Sequence, residues 1–272
     1  MTTTARSIVL TAAAGLTGTP ALPAEDGPIQ DNSFLIEEAY NQGAGVVQHI
    51  STFARGDDGG WAFSFTQEWP VPAETHQLGF TLNWARVEPD GRDEVGFSDL
   101  LVNYRWQAIG GGDAPLAFAP RLSLVVPTGD ESDLLGTGHV GAQVNLPLSV
   151  VLSQRWVTHA NAGATWIPSA QGASGEEADL FGYHYGGSGI WLARPKFNVM
   201  LEVLYARAEE VIGDETTAAA TNFLVSPGLR WAIDFDSGLQ IVPGIAVPIG
   251  VGSSSGEEAV LLYLSFEHPF RR

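Results

Sequence analysis

From Gly43 onward, apolar and polar residues alternate with a period of two. In Gly60-WAFSFTQEW-Pro70, Trp61, Phe63, Phe65 and Trp69 occupy one set of alternate positions, and Ala62, Ser64, Thr66 and Glu68 the other. The same split sets Leu78, Phe80, Leu82 and Trp84 against Gly79, Thr81, Asn83 and Ala85. Near the C-terminus it sets Val260, Leu262, Leu264 and Phe266 against Tyr263, Ser265 and Glu267. Such alternation predicts strands, and twelve are expected: 44–53, 60–69, 76–87, 95–108, 115–126, 138–148, 152–166, 182–193, 196–206, 221–233, 238–249 and 258–268. The pattern leaves the faces of 44–53 and 182–193 unassigned. Most of these strands exceed the five or six residues common in globular sheets. They fit the tilted spans of a membrane barrel, about 9–11 residues each.

The connections alternate in length. VEPDGRDE, TGDESDLLGTG, IPSAQGASGEEADL, RAEEVIGDETTAAA and VGSSSGEE are long; PVPAET, IGGGDA, PLS, ARP and DFDS are short. An antiparallel up-and-down barrel with long loops on one rim and tight turns on the other produces this rhythm.

A soluble sandwich would turn the apolar set inward, and a membrane barrel would turn it to lipid. Three features favour the barrel. The polar set is rich in Gly, Ala, Ser and Asn and nearly free of Lys, unlike a solvated exterior. The eight Trp fall near strand ends, Trp61, Trp84 and Trp166 toward the long-loop rim and Trp69, Trp106, Trp156, Trp191 and Trp231 toward the other. That is the pair of girdles expected where an indole sits in lipid and its N–H reaches the headgroups. Finally, an even strand count closes the sheet and leaves no unpaired edge in hydrocarbon. The expected fold is therefore an all-β, 12-stranded transmembrane barrel over residues 44–272.

The phase of the alternation then assigns a lumen. Arg105, Arg121, Arg155 and Arg230 are expected inside, with Glu68, Asp99, Glu202 and Glu267. Asn83, Asn103, Gln143, Asn145, His159, Asn161, Asn198 and Asn222 join them. An Arg on the lipid face would cost about 2–4 kcal/mol at the midplane, which supports the phase. Two readings follow: a charged constriction that filters solutes, or mutual ion pairs that fill a narrow barrel. The second is favoured, because twelve strands enclose only a modest lumen.

The N-terminus has its own pattern. An apolar run, Ile8 to Leu16, follows Arg6 and precedes the small residues of TPALPA. This reads as a signal peptide over 1–24, cleaved after Ala24 or Ala21. Residues 25–43 form a periplasmic segment in which Ser33 caps a short helix through Phe34, Ile36 and Tyr40. Glu37 and Glu38 are candidates to dock on the lumen arginines and plug the barrel; a free periplasmic extension is the alternative.

Composition narrows the chemistry. The chain has 272 residues with 13 basic and 31 acidic side chains, a net charge of −18. That argues against nucleic-acid binding, which wants a basic patch. No cysteine is present, so no disulfide framework or thiolate metal site is expected. The six histidines are scattered without metal-ligand spacing, and no GxSxG nucleophile elbow occurs. No cofactor or metal is expected. The acidic pairs Asp57-Asp58, Glu176-Glu177 and Glu209-Glu210 read as a solvated rim more readily than as calcium or lipopolysaccharide bridges.

The stretch DNSFLIEEAYNQGAGVVQHI, residues 31–50, resembles the opening signature of a family of bacterial outer-membrane proteins labelled meta-pathway phenol-degradation proteins or transporters. PRLSLVVPTGD (120–130) and HANAGATW (159–166) fit the same family more loosely. The resemblance implies a Gram-negative outer-membrane barrel that passes small hydrophobic or aromatic compounds. It carries over no catalytic residue. Expected partners are outer-membrane lipid and lipopolysaccharide, the barrel-assembly machinery and a small-molecule solute. The leading expectation is a passive channel. A structural or lipid-interacting barrel with an occluded lumen comes next, and an outer-membrane lipid hydrolase third.

Overall fold

The structure, a computed structural model, describes Ile29 and residues 31–88, 93–112 and 114–270. The expected signal peptide, 1–24, lies outside the described residues, as do residues 25–28 of the N-terminal segment.

The strands are β1 (Val46–Gly56), β2 (Trp61–Pro70), β3 (His76–Val87), β4 (Glu94–Phe97), β5 (Leu100–Trp106), β6 (Leu116–Phe118), β7 (Arg121–Val126), β8 (Gly141–Asn145) and β9 (Leu148–Ser153). They continue as β10 (Trp156–Gln171), β11 (Glu177–Arg194), β12 (Phe197–Gly213), β13 (Thr216–Trp231), β14 (Ile233–Asp234), β15 (Gln240–Ala246), β16 (Ile249–Gly250) and β17 (Ala259–Pro269). Five pairs are broken halves of one track: β4 with β5, β6 with β7, β8 with β9, β13 with β14, and β15 with β16. Three of the breaks fall at Pro120, Pro147 and Pro248, which have no N–H to give the ladder. Twelve antiparallel staves result, and β1 pairs with both β2 and β17, so the sheet closes on itself.

Register fixes the faces. Gln48, Ile50, Thr52 and Ala54 of β1 stand opposite Glu68, Thr66, Ser64 and Ala62 of β2, all inward. On β11, Leu180, His184, Ser188 and Ile190 point in, while Phe181, Tyr185 and Trp191 point out. The two strands whose faces the alternation leaves open are thus settled by their neighbours. All eight Trp lie on the outer face, where apolar side chains meet lipid.

Two boundaries differ from expectation. Most of IPSAQGASGEEADL and RAEEVIGDETTAAA is strand rather than loop: β10 to β13 have 16, 18, 17 and 16 residues, and their hairpins continue past the upper girdle. Alanine and glutamate are weak strand formers alone, but pairing with a long neighbour overrides that. The second difference is PLS (147–149). Pro147 interrupts a stave instead of turning it, and the turn comes at Gln154–Arg155.

Candidate functional site: a plugged lumen

The lower half of the barrel is filled by the chain's own residues 31–43. No helix forms there. The segment runs irregularly around the inside wall, and its backbone polar groups are met by inward side chains instead of by its own turns. Glu202 Oε1 accepts the N–H groups of Leu35 and Ile36 at 2.8 and 3.0 Å. Asn161 Oδ1 accepts from Glu37 N–H and Ser149 Oγ from Ala39 N–H. Gln107 and Gln77 accept from Asn41 and Gln42. In the other direction, Arg230 donates to the carbonyls of Asp31 and Asn32, and Arg105 to that of Tyr40. Ser33, expected as a helix cap, donates its hydroxyl to Ser188 at 2.7 Å. A buried backbone needs these partners, and the lumen supplies them stave by stave.

Charge reinforces the fit. Glu37 lies between Arg105 and Arg121, at 3.4 and 3.2 Å, with all three side chains buried. Asn145 also donates to Glu37. Glu38 does not join them: its carboxylate reaches no arginine, and its Oε1 has no hydrogen-bond partner among the described residues. Asp31 accepts from Tyr263 and Ser265. Glu68 accepts from Gln77, and Glu267 from Gln48.

Apolar packing completes the seal. Phe34, Leu35 and Ile36 belong to one buried cluster with Ile190, Met200, Leu224 and Tyr263. The ring of Phe34 lies directly over Gly228 and Gly244, where a Cβ on either strand would overlap it. Ile36 rests on Gly186 in the same way.

Above Phe34 and Leu35 the lumen changes character. The inward positions there include Leu101, Val125, Ile167, Leu180, Leu204 and Leu261, and they enclose a vestibule of about 580 Å³. Polar groups interrupt the apolar wall: Gln143, Thr165 and His184 along one side, Thr52, Ser64, Asn83 and Asp99 elsewhere, and Asp58, Arg86, Glu88, Arg207 and Glu209 toward the upper rim.

Of the expected lumen residues, Arg105, Arg121, Arg230, Glu68, Glu202, Glu267 and Asp99 are buried inside. Arg155 is not. The stave break at Pro147 carries the strand on to Ser153, and Arg155 sits exposed in the following turn. Asp99 clamps the segment 127–140: it accepts from Gly129 N–H at 3.0 Å, Thr137 N–H at 3.0 Å and Thr137 Oγ at 2.6 Å. Sequence reasoning missed Gln48, Gln77, Gln107 and Ser149, neutral side chains that hold the plug. Gln77 and Gln107 share the inward phase of Asn83 and Arg105, whereas Gln48 lies on a strand whose face the alternation leaves open and Ser149 falls in the expected turn PLS.

No family model matches the chain, so the resemblance of residues 31–50 stands on those residues alone. No curated protein matches it either. Among solved structures, the COG4313 outer membrane channel from Pseudomonas putida F1 is similar over 82% of this chain and 93% of that one, at 15% identity and a TM-score of 0.60. The NanC porin is similar over 81% of this chain and 98% of its own, at 7% identity and a TM-score of 0.51. At such identities the likeness speaks for the fold: this chain is a closed, twelve-stave β-barrel of the bacterial outer membrane, shaped like these channels.

Proposed function

We propose that the protein is a passive outer-membrane channel for small apolar solutes, and that residues 31–43 close it to ions and hydrophilic molecules. The apolar vestibule carries this reading. Its volume of about 580 Å³ falls within the usual range for small-molecule sites, and most of its lining surface is apolar. A structural barrel has no use for such a chamber above a polar seal. The resemblance of residues 31–50 to the phenol-degradation family points the same way, and the Pseudomonas putida protein of similar fold is an outer membrane channel.

Catalysis is a poor fit. Ser149 Oγ and His159 Nδ1 are 2.8 Å apart, but the same hydroxyl accepts Ala39 N–H beneath the plug, away from the vestibule.

The seal itself favours the occluded-barrel reading for polar solutes, so the test uses both classes. Liposomes carrying the protein should fail to swell with sugars. Cells that produce it in the outer membrane should take up N-phenyl-1-naphthylamine, an apolar probe that fluoresces in lipid, faster than cells without it. Equal uptake in the two strains would leave only the occluded barrel.

A further inference from the structure

Two chains of side chains lead from the Glu37–Arg121 ion pair to the polar side of the vestibule. One starts at the guanidinium. Arg121 Nη2 donates to Gln143 Oε1 at 3.2 Å, and Gln143 Nε2 donates to Thr165 Oγ1 at 3.0 Å. The other starts at the carboxylate. Asn145 Nδ2 donates to Glu37, and Asn145 Oδ1 lies 3.2 Å from His184 Nε2.

The ion pair fixes the direction of every bond in both chains. A guanidinium only donates, so Gln143 turns its oxygen toward Arg121 and its amide nitrogen toward Thr165. The Thr165 oxygen accepts there and keeps its own proton to give. No acceptor takes that proton among the described residues. A carboxylate only accepts, so Asn145 turns its nitrogen toward Glu37 and its oxygen toward His184. Nε2 of His184 then carries the hydrogen, and in the neutral ring Nδ1 is a bare acceptor. Nδ1 too has no hydrogen-bond partner among the described residues.

The register brings these two groups together. Thr165 pairs with Gly182, and His184 with Gly163, across β10 and β11, so their side chains are diagonal neighbours on the inner face. Diagonal positions lie about 7–8 Å apart, a span that side chains close. Glycine at 163 is what lets the His184 ring cross to Asn145, since a Cβ there would lie 2.4 Å from its Cε1 and 2.7 Å from its Nε2. Thr165 and His184 both line the vestibule, beside Ile167, Leu180 and Leu204. The chamber thus presents one donor and one acceptor close together on an apolar wall.

Resting on the channel reading above, we propose that Thr165 and His184 recognise a single hydroxyl group on an otherwise apolar solute, an alcohol with an aliphatic or aryl body. A hydroxyl complements both groups: it donates to His184 Nδ1 and accepts from Thr165 Oγ1. An ether or ketone oxygen serves Thr165 alone, and a hydrocarbon serves neither. An aliphatic amine arrives protonated and can only donate. Once the solute has displaced water from the chamber, a polar group left unpaired is costly. Half of this polarity comes from the plug, because Glu37 belongs to residues 31–43.

The test uses the whole protein in detergent at about pH 8, above the ordinary imidazole range, so that His184 is neutral. The probes are 2-naphthalenemethanol, its methyl ether and 2-ethylnaphthalene, with binding followed by naphthalene fluorescence. The affinities of the alcohol and the ether are each taken relative to the hydrocarbon in the same protein. Micelle partition is common to all variants and cancels when they are compared. His184→Phe keeps a ring and removes the acceptor. We expect it to lower the relative affinity of the alcohol about 2–10-fold, the usual worth of one hydrogen bond, and to leave that of the ether unchanged. Thr165→Val keeps the shape and removes the donor, and should lower alcohol and ether alike; Thr165→Ser, which keeps the hydroxyl, should match the native protein. Alcohol affinity that ignores either His184→Phe or Thr165→Val, or an ether loss as large as the alcohol's in His184→Phe, overturns the hydroxyl site and leaves a plain apolar chamber. If none of the three probes binds the native protein, the channel reading fails and the site with it.

Discussion

The carboxylate of Glu37 lies 3.2 Å from Nε of Arg121, and neither side chain reaches water. Arg105 approaches the same carboxylate from the other side. Breaking a buried pair by removing one partner typically costs about 3–5 kcal/mol, because the remaining charge is left uncompensated. Glu37→Gln keeps the size of the side chain and removes that compensation for two guanidiniums at once. The expected result is a plug that undocks often enough to be seen as ion-conducting openings in a planar bilayer. Glu38→Gln is the counterpart. Its carboxylate is buried without an arginine contact, so neutralising it should leave the bilayer as quiet as the native protein. Equal behaviour of the two variants would contradict this division of roles.

Phe34 reports on the plug through shape instead of charge. Its ring fills the space above Gly228 and Gly244. Gly244→Ala places a methyl group inside the ring's volume, and overpacking of this kind costs about 1–3 kcal/mol. The strand itself should tolerate the change, since glycine is a poor strand residue. Ion conductance should therefore rise while the thermal unfolding of the barrel on denaturing gels stays put. A barrel that melts early would show instead that Gly244 serves the sheet.

Asp99 connects three donors of segment 127–140 to the inner wall. Asp99→Ala takes the acceptor from those partly buried donors and loosens the segment. Hydrogen exchange should quicken at Gly129 and Thr137 and stay slow at Leu35 and Ile36, whose acceptor is Glu202. Faster exchange at both places would mean that segment 127–140 and the plug are one cooperative unit, which their separate sets of partners argue against.

Much of this architecture is legible in the alternation alone. The period of two, the Trp positions and the inward Arg and Glu residues follow from a rule that any outward-facing stave must obey in lipid. The plug's conformation is not legible, for a physical reason. Ser33, Phe34, Ile36 and Tyr40 have the spacing of a capped amphipathic helix, and nothing local opposes one. What opposes it is distant in sequence: Asn161, Ser149 and Gln77 each present an acceptor to one backbone N–H, and Glu202 presents one to two. A helix would satisfy those amides internally and leave the lumen side chains unpaired. The short upper wall beside segment 127–140 is hidden similarly, because only the paired lengths of neighbouring staves reveal it.

Arg105 and Arg155 test the same lesson by mutation. Both fall on the polar phase of the sequence, and simple alternation places both inside. Pro147 decides between them: by interrupting a stave without ending it, the proline shifts the turn to Gln154–Arg155 and leaves Arg155 in water. Arg155→Ala should then change neither stability nor conductance beyond the roughly 0.5 kcal/mol scatter of surface substitutions. Arg105 donates to Asn41 Oδ1 at 2.9 Å, to Glu37 and to the carbonyls of Glu38 and Tyr40. No single acceptor holds it; the planar fork spans four. Arg105→Lys therefore keeps the charge but cannot reproduce the fork. The expected order in amide exchange over residues 35–42 is native protein slowest, Arg105→Lys faster and Arg105→Ala fastest, with Arg155→Ala indistinguishable from native. Full protection in Arg105→Lys would show that charge alone docks the plug and that the geometry of the fork is incidental.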